Sequence, residues 1–358
     1  MKIKELMEEL DQIAPFAESE SWDNTGLLVG DMQDEVTSIL TTLDCAKETV
    51  DEAVSKGANV IIAHHPLIFA KMDAVVESGV GRIVRQLIRN NINLIAMHTN
   101  LDHQPDGVSH MIAEKLGYTD TEVLISNERD YKKLRVTVPK SSAEQLKKDL
   151  AAAGAGNQGE YSECFFEHPI TGQFRPSEGA DPHIGASGRL EHVEEYMIEA
   201  IFEVQDENKV MQALLASHPY EEPAYDMLSL KLPSDKGLGV SFDFNGSLMQ
   251  LASLIEEKTG TPIVNMVAAD QNQISKVGII GGSGMSYIEE AFGQGIDVLV
   301  TGDVKYHEAY DAKLAGRSII DGGHYMESVM AEGLKALIEE RMTVEVHATE
   351  VSTNPFAN

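Results

Sequence analysis

The residues best placed to do chemistry are an adjacent histidine pair, His64-His65 in VIIAHHP, then Asp102 in HTNLD, and His324 with Glu327 in DGGHYME. Imidazoles and carboxylates without thiolates are the donor set of Zn, Fe, Mn, Ni or Co, and the set does not choose among them. Successive side chains in an extended segment point to opposite sides, so one ion rarely takes both members of a His-His pair. Two neighbouring ions can, with His64 serving one and His65 the other, and with a carboxylate such as Asp102 or Glu327 between them. The expectation is therefore two divalent metal ions per chain, zinc foremost. An isolated His-His pair is more often an ordinary surface or core feature. Recurrence is what argues for ligands here, because three apolar runs, NVIIAHHP, NLIAMHTNLD and SIIDGGH, each stop and deliver His or Asp just beyond their ends.

Those runs are strands by composition, and the segments between them have helical periodicity. TSILTTLDC reads as a buried strand, KETVDEAVSKG as a helix closed by Gly57, and NVIIAHHP as the next strand. VGRIVRQLIRNN, NLIAMHTN and GVSHMIAEKLG continue the alternation. The same βαβ pattern returns in SKVGIIGGSG, MSYIEEAFGQG, IDVLVTGD, YHEAYDAKLAG, RSIIDGGH and a helix over residues 325–341. In an open α/β sheet the carboxyl ends of the strands face one crevice, which would bring distant ligands together. His324 and Glu327, three residues apart, would share one helical face.

Between the two stretches the chain changes character. YKKLRVTVP, SSAEQLKKDLAAAG, a hairpin in GEYSECFFEHPITGQFRP, then EHVEEYMIEAIFEV, NKVMQALLASHP and AYDMLSLK suggest an antiparallel sheet with helices on one face, close to a ferredoxin-like unit. The expected organisation is an α/β metal-binding domain in two halves, residues 1–129 and 233–358, around an inserted α+β domain at 130–232.

Other groups have plain alternatives. GIIGGSG (residues 278–284) sits between strand and helix, where N–H groups could cradle a phosphate, but without a full P-loop or dinucleotide pattern such a segment is more often just a tight turn. Asp44 ends a strand and could orient a ligand. Thr301, Asp303, Lys305 and His307 occupy another strand-to-helix connection suited to substrate or to ligand positioning. His98 reads as a positioning group or a satisfied core histidine, and His98 and His307 are the candidates to shuttle protons. His103 reads as exposed, and His218 with Glu221 and Glu222, flanked by prolines, as a structural turn.

Composition limits the partners. With 358 residues and a net charge of −30, the chain is a poor ligand for nucleic acid or an anionic membrane, and a small-molecule substrate is expected. Its two cysteines are too few for a disulfide framework and fit a reducing cytoplasm. The amphipathic start MKIKELMEELDQIA lacks a signal-peptide core, and no run reaches membrane-spanning length.

The segments SWDNTGLLVG (residues 21–30), LDC (43–45), GANVIIAHHPLIF (57–69), HTNLD (98–102), VTGDVKYHEA (300–309) and DGGHYMES (321–328) together resemble the type 2 homologues of GTP cyclohydrolase I. The resemblance covers nearly the whole chain outside the middle. It implies dinuclear metal binding through His64, His65, Asp102, His324 and Glu327, although some members space the last two ligands by four residues. It further implies hydrolysis at C8 of a guanine nucleotide, a ring-like homohexamer, and an insertion similar to PII-type signalling proteins, with HPYEEPAYD (218–226) as its signature.

Overall fold

The computed structural model describes residues 1–269 and 273–356. It divides into two compact units, Met1–Asn127 with Asp235–Asn358, and Glu128–Ser234.

The first unit begins with α1 (Ile3–Ile13), β1 (Gly26–Val29), β2 (Ser38–Asp44), α2 (Lys47–Lys56), β3 (Val60–His65), α3 (Gly79–Arg89), β4 (Asn93–Ala96), the single turn α4 (Thr99–Asp102) and α5 (Val108–Leu116). The strand β5 (Glu122–Pro139) leads into the second unit, which continues with α6 (Ala143–Ala152), β6 (Phe166–Phe174), β7 (Glu191–Glu203) and α7 (Glu207–Ser217). β8 (Tyr225–Gly246) leads back to α8 (Leu248–Thr259), β9 (Asn265–Val267), β10 (Ile274–Ile279), α9 (Ile288–Gly293), β11 (Val298–Thr301), α10 (Tyr306–Leu314) and β12 (Ser318–Asp321). A 3₁₀ turn (His324–Val329), α11 (Met330–Arg341) and β13 (Glu345–Ala348) complete the chain.

The first unit holds two sheets where one open sheet would have sufficed to gather the ligands. One has the order β1-β4-β3-β2-β13, parallel except for β1. The other has a parallel core β10-β11-β12 flanked by antiparallel β8 and β9. Both are buried on two faces, and the alternation shows it: Val60 and Ile62 join one apolar cluster while Ile61 and Ala63 join another. Val298 and Val300 likewise share the first cluster, and Leu299 points away from it. That first cluster also takes Ile3, Leu6 and Leu10 of α1, with apolar faces of α5, α8 and α11, so helices fill the space between the sheets. Gly57 ends α2 at φ 72°, a left-handed cap that lets the chain reverse directly into β3.

The second unit runs βαββαβ with strand order β6-β7-β5-β8, the ferredoxin-like arrangement. Leu134, Val136 and Val138 of β5 alternate onto its core beside Ile198, Ala200 and Phe202 of β7, and α6 and α7 cover them with Leu146, Leu150, Val210 and Leu214. The expected hairpin in residues 159–176 is a single strand, β6, whose partner is the following β7. Pro169 lies within β6, and an edge strand, needing partners on one side only, accommodates it.

Candidate metal centre

Each candidate ligand residue stands where a buried strand ends. His64 and His65 close β3, and Asp44, the last residue of β2, lies directly across from His65 in the parallel register. Asp102 ends the single turn α4 beyond β4, whereas His324 and Glu327 follow β12 of the other sheet. The carboxyl ends of both parallel cores thus meet within one unit. The segment carrying His324 and Glu327 is a 3₁₀ turn where an α-helix was expected. In that geometry residues i and i+3 eclipse, and this places the two side chains over one another despite the short spacing.

Four imidazoles are oriented in the same way. The Nδ1 of His64 meets the Met97 carbonyl at 2.9 Å, that of His65 meets Asp44 Oδ1 at 2.7 Å, that of His98 meets Asp23 Oδ1 at 2.9 Å, and that of His324 meets Asp303 Oδ2 at 2.6 Å. With an acceptor on Nδ1, one proton belongs there, and Nε2 is the nitrogen an ion would take, displacing any proton it holds. Carboxylate or carbonyl partners of this kind fix the tautomer of metal-binding histidines and raise their basicity.

The Nε2 atoms of His64, His65 and His324 converge on Glu327. Its Oε2 lies 3.3 Å from His65 Nε2 and 3.2 Å from His324 Nε2, and those two nitrogens are 3.1 Å apart. A tetrahedral ion with ligands about 2.0 Å away spaces its donors by about 3.3 Å, so this trio has the right dimensions. The other oxygen, Oε1, lies 3.9 Å from His64 Nε2, which is itself 3.6 Å from Asp102 Oδ1. Two donor trios of different tightness therefore share one carboxylate, an oxygen to each. Residue type, tautomer and spacing all fit a pair of divalent cations.

Electrostatics point the same way. Burial holds His64 down at about 3, so it is neutral. Burial also opposes charge on His65, but the Asp44 and Glu327 carboxylates outweigh it and raise that group to about 10. The Glu327 hydrogen bond raises His324 to about 9. Burial, then the Glu327 charge, pushes Asp102 well above the usual carboxylate range. Glu327 is driven the other way, because its bonds to His324 and His65 overcome its burial. Without an ion, protons neutralise this centre, and they are what a cation would displace.

The profile of the family described as Duf34/NIF3 (NGG1p interacting factor 3) matches residues 1–355. The chain belongs to this family. A Staphylococcus aureus (strain COL) protein named GTP cyclohydrolase 1 type 2 homolog is 42% identical, the alignment covering 99% of each chain. A Staphylococcus epidermidis protein of the same name is 40% identical over the same share. Among solved structures, Staphylococcus aureus protein SA1388 matches with a TM-score of 0.84 at 40% identity, covering all of this chain and 99% of its own. A Bacillus cereus protein related to NIF3 follows at TM-score 0.73 and 37% identity, with coverage of 100% and 99%.

In this Duf34/NIF3 chain the glycine loop serves the carboxylate. A Cβ at Gly281 would come within 2.8 Å of Glu327 Oε1, and one at Gly282 within 3.1 Å. Two of the loop's N–H groups are already engaged, Gly281 with Ser109 Oγ at 3.1 Å and Gly284 with Thr301 Oγ1 at 2.8 Å, which removes two donors from a phosphate cradle. Gly281→Ala is expected to reduce metal content about as much as loss of a ligand, with the circular dichroism spectrum unchanged. Full metal occupancy in that variant would refute the role given to the loop.

Three aspartates position the imidazoles: Asp44 and Asp303, which the sequence offered as groups able to orient a ligand, and Asp23, which had no defined role in it. Asp23 holds His98 with one oxygen and the Thr99 N–H and hydroxyl with the other, at 3.1 and 2.6 Å. Asp303 reaches His324 from a left-handed backbone at φ 57°, a strained conformation for a residue with a side chain. Asp44 is fixed in turn by the Thr353 hydroxyl at 2.7 Å. Neither Asp23 nor Asp303 belongs to a periodic pattern, and only the WDN and TGD segments hinted at them.

Two expectations change. His307 is exposed on the first turn of α10 and makes a ring contact with Tyr306, and among the described residues it is not in the ligand cluster. The adjacent Lys305 pairs with Glu308 at 3.2 Å. A shuttle role for His307 is therefore withdrawn, because α10 turns that residue outward. His103, expected to be exposed, is partly buried between Asn127 and Glu20. His98 lies within reach of both His64 and His65, its ring edge-on to theirs at 5.1 and 5.7 Å. Burial pushes the Cys45 thiol up to about 12, which leaves it inert.

Proposed function

We propose that this chain is a dinuclear-metal-dependent hydrolase of a small molecule, with a purine nucleotide such as GTP as the substrate class that its relatives' names suggest. The observation that carries the reading is the pair of donor trios sharing Glu327, beside a cavity of about 760 Å³ lined by His65, Asp303, His324 and Tyr325. A space of that size suits a nucleotide-sized ligand. When bound, the ions would supply Lewis acidity, making a water acidic enough to ionise near neutral pH and polarising the atom it attacks.

The chain's own groups would do the rest. His98, its Nδ1 tied to Asp23, keeps Nε2 for proton transfer next to His64 and His65. Trp22 is 58% exposed and Phe69 57%, with centroids 6.0 Å apart, and Trp22 lies 6.1 Å from His98. They offer flat faces on which an aromatic substrate ring would stack.

The test is to incubate metal-loaded protein with GTP. Water addition at C8 and ring opening would give a formamide and abolish the guanine absorbance, and hydrolysis of that formamide by a second water would release formate. His98→Ala should lower kcat by about 10²–10⁴-fold, the usual worth of a general acid–base group, while Trp22→Ala should mainly raise KM. Release of phosphate with an intact purine would replace this reading with a phosphoesterase, and no turnover across a broad substrate panel would leave a metal-binding scaffold. We further propose a cytoplasmic homohexamer. A monomer by light scattering over a wide concentration range would reject that assembly. Among the described residues no helix is long and apolar enough to cross a membrane.

A further inference from the structure

The second unit contains a cavity of its own, about 340 Å³, lined by side chains of β6 and β7 and of the segments around residues 180–184 and 220–224. Its walls are largely apolar, with Ile170, Phe174, Pro176 and Ile184 among them. Set into this lining is Glu195, only 3% exposed. One of its oxygens, Oε1, accepts the Tyr220 hydroxyl at 2.6 Å. Its other oxygen, Oε2, accepts no hydrogen bond among the described residues. Oε2 has room because residue 172 is glycine, where a Cβ would come within 2.5 Å of it.

A buried carboxylate ordinarily has a cation or several donors around it. Here Arg175 and His218 have other hydrogen-bond partners. Arg175, which lines the cavity, donates to the Gly188 carbonyl at 2.7 Å. His218 uses both ring nitrogens, one on the Thr137 carbonyl at 2.7 Å and one accepting the Tyr220 N–H at 3.1 Å, and burial lowers its basicity. Glu221 and Glu222 add negative charge to the lining. The Tyr220 ring stands edge-on to Phe174 at 5.7 Å and tilted to His183 at 6.3 Å, so aromatic faces surround the carboxylate.

We propose that this cavity binds a small organic ammonium ion, with Glu195 Oε2 as its anionic anchor and the Tyr220, Phe174 and His183 rings as its walls. Aromatic faces beside a carboxylate attract an alkylammonium group through both charge and ring quadrupole, and the apolar lining takes its hydrocarbon body. A metal ion is the less suitable occupant. The groups of ligand atoms close enough to hold an ion all lie in the other unit, among the described residues.

The experiment is a titration of the full chain with benzylammonium chloride, followed by calorimetry and by amide shifts of residues lining the cavity. Saturable binding is expected, with benzyl alcohol and benzoate at least about tenfold weaker, since a charge-assisted hydrogen bond is worth about that factor. Glu195→Gln keeps an acceptor for Tyr220 and should weaken benzylammonium binding about tenfold or more. Phe174→Ala, at the wall, should weaken it without touching the carboxylate, and so serves if Glu195→Gln misfolds. Absence of saturable binding, equal affinity for benzyl alcohol, or undiminished affinity in both variants would overturn the proposal.

Discussion

On the dinuclear centre proposed above, replacing Glu327 by Gln should lower the metal content of fully loaded protein from two ions per chain to less than one, the largest effect expected of a single substitution here. Each Glu327 oxygen faces a different donor trio, Oε2 toward His65 and His324, Oε1 toward His64 and Asp102. Gln keeps the volume but replaces one oxygen with an NH₂ group, which cannot ligate, and removes the charge both cations need. His65→Ala and Asp102→Asn each injure only one trio, so each should retain about one ion. Elemental analysis of the three variants, with circular dichroism to check the fold, reads this directly. If Glu327→Gln kept a full ion while His65→Ala lost both, the shared-carboxylate arrangement would be wrong.

The second large effect is on stability. A ligand that binds only the folded chain stabilises it by about 4 kcal/mol when its free concentration is a thousandfold above its Kd, so chelator-treated protein should melt well below metal-loaded protein. The difference should grow with pH. His65 and His324, at about 10 and about 9 without an ion, lie above their ordinary value, so their contribution to metal-free stability is complete below about 6.5 and is lost as pH rises through those values. Metal binding strengthens over the same interval, because fewer protons must be displaced. Melting temperatures of both forms between pH 6.5 and 10 should therefore diverge. Curves that stayed parallel would mean that these histidines are not held by Asp44, Asp303 and Glu327 as described.

What could be read from residues alone was what local chemistry and periodicity carry. The His64-His65 pair at the end of VIIAHHP, Asp102 in HTNLD, and His324 with Glu327 were identifiable because a buried strand that ends in ligands is chemically conspicuous, and the five side chains do lie together. Asp23 was not, since a single aspartate in a turn looks the same whether it caps a loop or grips an imidazole, and Asp303 was legible only as one of four polar groups in its connection. The role of the glycine loop was hidden for a related reason. Gly281 needs to be small because Glu327 approaches from far along the chain, whereas phosphate loops need glycine to let a ligand in. The hairpin expected in residues 159–176 failed because strand pairing depends on a partner that the local pattern does not name.

The sequence by itself determined that the first unit is α/β, that the insertion has a ferredoxin-like order of elements, and which side chains are able to hold metal. Hydrophobic alternation and donor type are local properties, and they survive in a list of residues. Only the tertiary structure decided that two sheets contribute their carboxyl ends, that Glu327 and not Asp102 stands between the trios, and that His64, His65, His98 and His324 each present Nδ1 to a carbonyl or carboxylate. Those outcomes depend on which oxygen faces which nitrogen across hundreds of residues, and such distances arise only when the apolar faces of α1, α5, α8 and α11 draw the two sheets around one core.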